Sequence, residues 1–137
     1  MIEPKDVIRM KIPYPSINAR LAANSHMYIC RKKEGTYYEY VKCQTLKPYM
    51  LYNNIIKHYH DEDADITRNP FVHKTRIDCD KVFSTQNILY NDILKTTNRP
   101  DICDDAYNKI EIELLADSYD NESINENELK AINTLLV

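Results

Sequence analysis

Residues 26–45 read His26-Met27-Tyr28-Ile29-Cys30-Arg31-Lys32-Lys33-Glu34-Gly35-Thr36-Tyr37-Tyr38-Glu39-Tyr40-Val41-Lys42-Cys43-Gln44-Thr45. His26–Cys30 is a short apolar run of the kind that forms a strand buried on both faces. Arg31–Gly35 is a charged connection, and the residues after it, Thr36 to Cys43, are rich in β-formers. Gly35 is the chain's single glycine and takes the positive-φ position that a tight turn needs. The stretch therefore predicts a β-hairpin, and the rest of the fold is read outward from it.

Upstream, Asp6-Val7-Ile8-Arg9-Met10-Lys11-Ile12 alternates, with Ile8, Met10 and Ile12 on one face and Arg9 and Lys11 on the other. This is a half-buried strand, Val7–Ile12, ended by Pro13 and Pro15. Tyr14 to Ser25 has no steady period and reads as a long surface loop. Downstream, Pro48 opens a segment in which Leu51, Ile55 and Tyr59 recur at helical spacing, predicting a helix to about His60. Asp61 to Asp65 reads as a charged exit loop. Thr75, Ile77 and Cys79 alternate with Arg76, Asp78 and Asp80, which predicts a strand over Thr75–Val82. Ile102, Ala106, Ile110 and Leu114 step by four, as one face of a helix over Asp104–Leu115. Ser123 to Glu126 has capping-box spacing ahead of Leu129, Ile132 and Leu136, which predicts a last helix over Asn125–Leu136. The order argues for one domain over residues 1–137, mainly β (α+β): a small antiparallel sheet or barrel, with a helical insertion near 48–60 and a C-terminal helical extension over 123–136.

With 137 residues, 43% of them hydrophobic and 28% charged, the chain is sized and composed for a single packed core rather than for disorder. One glycine excludes a Gly-rich phosphate loop and a dinucleotide fingerprint, both of which need several. Cys30, Cys43, Cys79 and Cys103 stand singly, which fits neither a paired zinc site nor a disulfide scaffold. The expected location is cytoplasmic, because the N-terminus has no apolar export segment and no window is apolar enough to span a membrane. Charge is uneven: residues 1–60 carry ten Lys/Arg against four Asp/Glu, and residues 61–137 carry eight against seventeen. That bias permits a local nucleic-acid surface on an otherwise acidic protein.

Five segments in sequence order resemble the PemK/MazF toxins, small endoribonucleases of toxin–antitoxin modules built on an SH3-like barrel. Lys5-Asp6-Val7-Ile8 resembles the family's opening Gly-Asp-Val/Ile-Val strand, and Ser25-His26-Met27-Tyr28-Ile29-Cys30 its Arg-Pro-Val-Leu-Val-Ile strand. Val41-Lys42-Cys43-Gln44-Thr45 resembles the strand ending in Ile-Thr, Cys79-Asp80-Lys81-Val82-Phe83-Ser84 the Cys-Asp-Gln-Ile-Arg-Thr segment, and Ile102-Cys103-Asp104-Asp105 the start of the final Leu-Ser-Asp-Glu helix. The chain departs from the family at its arginines, since the catalytic one falls at Ser25 or its neighbour and a second at Phe83. The resemblance implies a small SH3-like antiparallel barrel with peripheral helices. It also implies cleavage of single-stranded RNA without metal or cofactor, a homodimer, and an antitoxin-like peptide or protein as partner.

Metal-free RNA cleavage needs a group that takes the 2′-hydroxyl proton, a group that protonates the leaving 5′-oxygen, and cations or donors for the phosphorane charge. His26 can serve either proton transfer, its ordinary pKa lying near neutrality. It can equally just begin a buried strand and hydrogen-bond the backbone. Thr45 stands at the family's threonine position and is expected on the scissile phosphate, with Arg20, Lys42 and Lys47 supplying charge. Tyr38, Tyr40, Lys42 and Gln44 share a strand face, a stripe suited to stacking bases or, alternatively, to packing under a helix. Ser84 joins the substrate-binding set as the end of its matched segment. His58, His60, Asp61, Asp63 and Asp65 suggest a metal, but residues two apart on a helix do not face one another, so this run reads as a solvated loop. Two other functions stay open: a non-catalytic module holding RNA or a protein, and a gyrase-poisoning toxin acting through C-terminal residues.

Overall fold

A computed structural model describes residues 1–52 and 55–137. Strand β1 (Val7–Met10) pairs antiparallel with β2 (His26–Glu34), which turns into β3 (Tyr37–Thr45). Gly35 sits at the turn with φ +60, where its missing Cβ removes the strain an L side chain would carry. The hairpin is present as expected, but β2 runs on through Arg31–Glu34, which the sequence reads as connection, with a bulge between Cys30 and Lys32.

The single strand expected over Thr75–Val82 is two. β5 (Thr75–Asp78) pairs with the end of β3 at Cys43–Thr45, and β6 (Lys81–Thr85) pairs with its beginning at Tyr38–Tyr40. The break lies at Cys79–Asp80, where the Asp78 carboxylate accepts the Asp80 N–H at 2.8 Å and turns the chain. Both halves remain antiparallel to the same strand.

The helix expected over Leu51–His60 is absent from the described residues. Pro48–Leu51 forms a single 3-10 turn, and Tyr59–Glu62 is strand β4 on the free edge of β5; Asn53 and Asn54 lie outside the described residues. The apolar spacing there covers nothing: Leu51, Tyr52 and Ile55 are exposed. The first two residues of the expected exit loop, Asp61 and Glu62, are thus strand, held to β5 by backbone pairing and by Arg76 on Asp61. A further strand, β7 (Asp120–Ser123), runs parallel to β6 in a stretch polar enough to read as linker.

Three helices complete the α+β architecture. α1 (Arg20–Ala23) is one turn inside the long loop, which folds back so that the Ile12 N–H donates to the Leu21 carbonyl at 2.9 Å. α2 (Asp104–Ala116) buries Ala106, Ile110 and Leu114 against Val7, Ile29, Val41 and Ile77, as its four-residue step predicts. α3 (Glu126–Ile132) starts two residues later than the Ser123 capping box implied, capped by Asn125 accepting from Glu128 N at 3.0 Å. It ends at Asn133, whose buried amide takes both the N–H and the carbonyl of Lys11.

The sheet runs β1-β2-β3-β5-β4, with β6 and β7 branching from β3, and among the described residues no pairing joins β1 to β4 to close it into a barrel. Each face carries a core. One holds α2; the other buries Tyr28, Tyr40, Phe83 and Leu129. Among the described residues no helix is long and apolar enough to cross a membrane.

Candidate functional site

Strand register decides which side chains are left over. β2 pairs Tyr28 with Lys42 of β3, and β3 pairs Gln44 with Arg76 of β5, so the row that buries Tyr28 and Tyr40 continues into Lys42, Gln44 and Arg76. The second core covers only part of this face. Beyond it the sheet becomes the floor of a cleft, walled by Tyr14 and Leu21 of the folded-back loop and roofed by Tyr49 and Met50 of the 3-10 turn.

The cleft has two connected lobes that share Tyr14, Leu21, Lys42, Gln44, Tyr49 and Met50. The outer lobe, about 590 Å³, is lined by Arg9, Arg20, His26, Lys42, Thr45 and Lys47, among others. The inner lobe, about 250 Å³, extends over Arg76, Asp78, Asp80, Lys81 and Phe83. Six of the residues expected at a site therefore converge: Arg20, His26, Lys42, Gln44, Thr45 and Lys47 line one cavity.

Three expected residues are elsewhere. Tyr38 and Tyr40 are 7% and 0% exposed, stacked on one another and closed off by Tyr90, so they cannot meet a base. They share a strand face with Lys42, but residues 88–90 and α3 cover their end of it. Ser84 is buried between β3 and β7, opposite Glu39 and Ser123, on the face away from Phe83. Sequence reasoning in turn missed Arg9, Tyr14, Asp78 and Lys81. Strand alternation pointed Arg9 outward, but nothing in one sequence places the Tyr14 loop over the sheet.

The outer lobe's electrostatics are one-sided. Arg9, Arg20, Lys42 and Lys47 form no ion pair among the described residues, whereas Arg31, Arg68, Arg76 and Arg99 each pair with a carboxylate. Unpaired cations around a concavity leave a positive potential that attracts anions. Burial lowers the Lys42 pKa; Asp78 opposes this and Lys81 adds to it. Burial likewise lowers that of His26, helped by Lys42 and Arg20 and opposed by its contact with the Asn24 carbonyl. His26 Nδ1 lies 3.0 Å from that carbonyl oxygen, which fixes the neutral ring with its proton on Nδ1 and its lone pair on Nε2. The backbone contact expected of a histidine that begins a strand is thus present, and it leaves Nε2 as the ring's free acceptor.

The residues read against a metal have internal partners. His58 lies between Asp80 and Asp117, Asp61 holds Arg76, and the buried Glu62 accepts from His60, Arg68 and Asn69. Among the described residues no group of three or more His, Cys, Asp or Glu is placed to hold a metal ion. No protein-family model, curated protein or solved structure matches the chain.

Proposed function

We propose that this protein is a PemK/MazF-like endoribonuclease that cleaves single-stranded RNA using protein groups alone. The observation that carries the reading is the convergence of His26, Arg20, Lys42, Thr45 and Lys47, from three separate segments, on one cationic cleft. In this scheme Nε2 of His26 takes the proton of a 2′-hydroxyl, and the 2′-oxygen forms a bond to phosphorus as the bond to the 5′-oxygen breaks. Lys42, whose ammonium burial makes more acidic, gives a proton to the leaving 5′-oxygen. Arg20 and Lys47 offset the phosphorane charge, and the Thr45 hydroxyl, free of hydrogen bonds among the described residues, donates to a non-bridging oxygen. The products are a 2′,3′-cyclic phosphate and a 5′-hydroxyl.

This reading includes an SH3-like core, a symmetric homodimer and an antitoxin-like peptide or protein partner. The unpaired cations would also serve a module that holds RNA without cutting it, and the two separate on one variant. His26→Ala should lose about 100- to 10,000-fold in cleavage rate on short RNAs in chelator, while Lys47→Ala mainly weakens binding. Cleavage by His26→Ala at the wild-type rate, or none by wild type, rejects the nuclease; binding without cleavage then favours the module.

A further inference from the structure

The inner lobe of the cleft is polar in a way that the cleavage scheme leaves unused. Three of its charged or amide side chains, Asp78, Lys81 and Gln44, have few partners and no part in that scheme. Arg76 is satisfied by Asp61, by the Met50 carbonyl and by the Tyr59 ring 3.5 Å away. Asp80 is satisfied by the backbone N–H groups of Lys57 and His58 and by the His58 ring. Asp78 is not: it is 8% exposed, one oxygen accepts only the Asp80 N–H, and the other accepts nothing among the described residues. Lys81 makes no ion pair among them and lies 6.0 Å from the Tyr14 ring centroid. Gln44 reaches only the Met50 sulfur at 3.9 Å, and Lys42 belongs to the outer lobe's chemistry.

A buried carboxylate short of donors is costly to hold, and burial accordingly pushes the Asp78 carboxyl up. The Asp78 oxygen without a protein partner opens into the cleft, where a ligand that carries donors can reach it. We infer that the inner lobe receives one unstacked guanine of the RNA, its N1–H and 2-amino groups donating to Asp78 and its O6/N7 edge accepting from Lys81, beside the Tyr14–Phe83 wall. Guanine is the base that fits. It alone presents two adjacent donors on its Watson–Crick edge with an acceptor next to them, matching a carboxylate on one side and an ammonium on the other. Adenine and cytosine would set a ring-nitrogen acceptor against the carboxylate, and uracil offers one N–H between two carbonyl oxygens. Tyr14 and Phe83, in edge contact at 5.4 Å, form an apolar aromatic wall to the lobe. Because the two lobes share Lys42 and Gln44, a base held inside brings its phosphate to the outer cleft.

The inference rests on the RNA reading above, and the test keeps the two apart. Short oligouridylates carrying one guanosine, inosine, adenosine, cytidine or no substitution are compared for binding and for kcat/KM of cleavage. The guanosine oligomer should be preferred, and inosine, which lacks only the 2-amino group, should lose about tenfold. Asp78→Asn keeps an oxygen for the Asp80 N–H while replacing an acceptor by a donor, and should cut the guanosine preference by about 10- to 100-fold. Oligomers bound or cut equally whatever the substituted base, or inosine equal to guanosine, overturn the guanine pocket and leave the nuclease standing. No binding or cleavage of any oligomer overturns both.

Discussion

His26 concentrates the chemistry of the proposed site, and its protonation has a definite sign. Burial lowers its pKa below the ordinary 6.5, so at neutral pH the ring is uncharged and Nε2 is ready to take a proton. Activity that needs this neutral form falls as pH drops through the lowered pKa. The expected kcat/KM profile therefore rises with pH through an inflection below 6.5 and falls again at alkaline pH as the Lys42 ammonium, lowered by burial, loses its proton, and His26→Gln removes the acidic inflection. A rising inflection above 6.5, or one that survives in His26→Gln, contradicts the role given to this residue. At this scale Arg20, His26, Lys42 and Thr45 group through the family resemblance, which implies that the long first loop meets the end of the hairpin strand. The sequence was misleading for Tyr38 and Tyr40, because alternation tells which face a side chain occupies but not how far along the strand that face is covered. The same face is sealed by Tyr90 at Tyr40 and open at Lys42.

Among the elements, α2 is one whose sequence signal and structural role coincide. Ile110, at 2% exposure, packs into the core beneath the sheet, while Leu115 on the outer side is 73% exposed. Ile110→Ala should cost about 2–5 kcal/mol in denaturant unfolding, through lost burial and the cavity left behind. Leu115→Ala should stay within about 0.5 kcal/mol. Equal effects at the two positions would show that α2 does not pack by this face. The β4 segment went the other way. The spacing of Leu51, Ile55 and Tyr59 imitates a helix, but Leu51 ends a 3-10 turn, Ile55 is exposed and only Tyr59 pairs with the edge of β5, and backbone pairing leaves no periodic trace in a strand as polar as Tyr59-His60-Asp61-Glu62. The break between β5 and β6 was equally hidden, since an aspartate turn in an alternating run looks like one more outward polar residue.

Over the whole molecule, the basic first half of the chain is what the cleft draws on. Arg9, Arg20, His26, Lys42 and Lys47 all come from residues 1–60, while the acidic second half supplies the carboxylates that pair with Arg68, Arg76 and Arg99 and shares Arg31 with Glu39 of the first half. The charge asymmetry seen in the sequence thus becomes a spatial one, a positive concavity on an acidic body. The central claim is that this concavity performs a 2′-hydroxyl attack. The measurement that meets it most directly is mass spectrometry of the products from a short single-stranded RNA incubated with the wild-type protein in excess chelator. Fragments ending in a 2′,3′-cyclic phosphate, each matched by a fragment with a 5′-hydroxyl, are the predicted result. Fragments with 5′-phosphate ends, or RNA left intact, would contradict it.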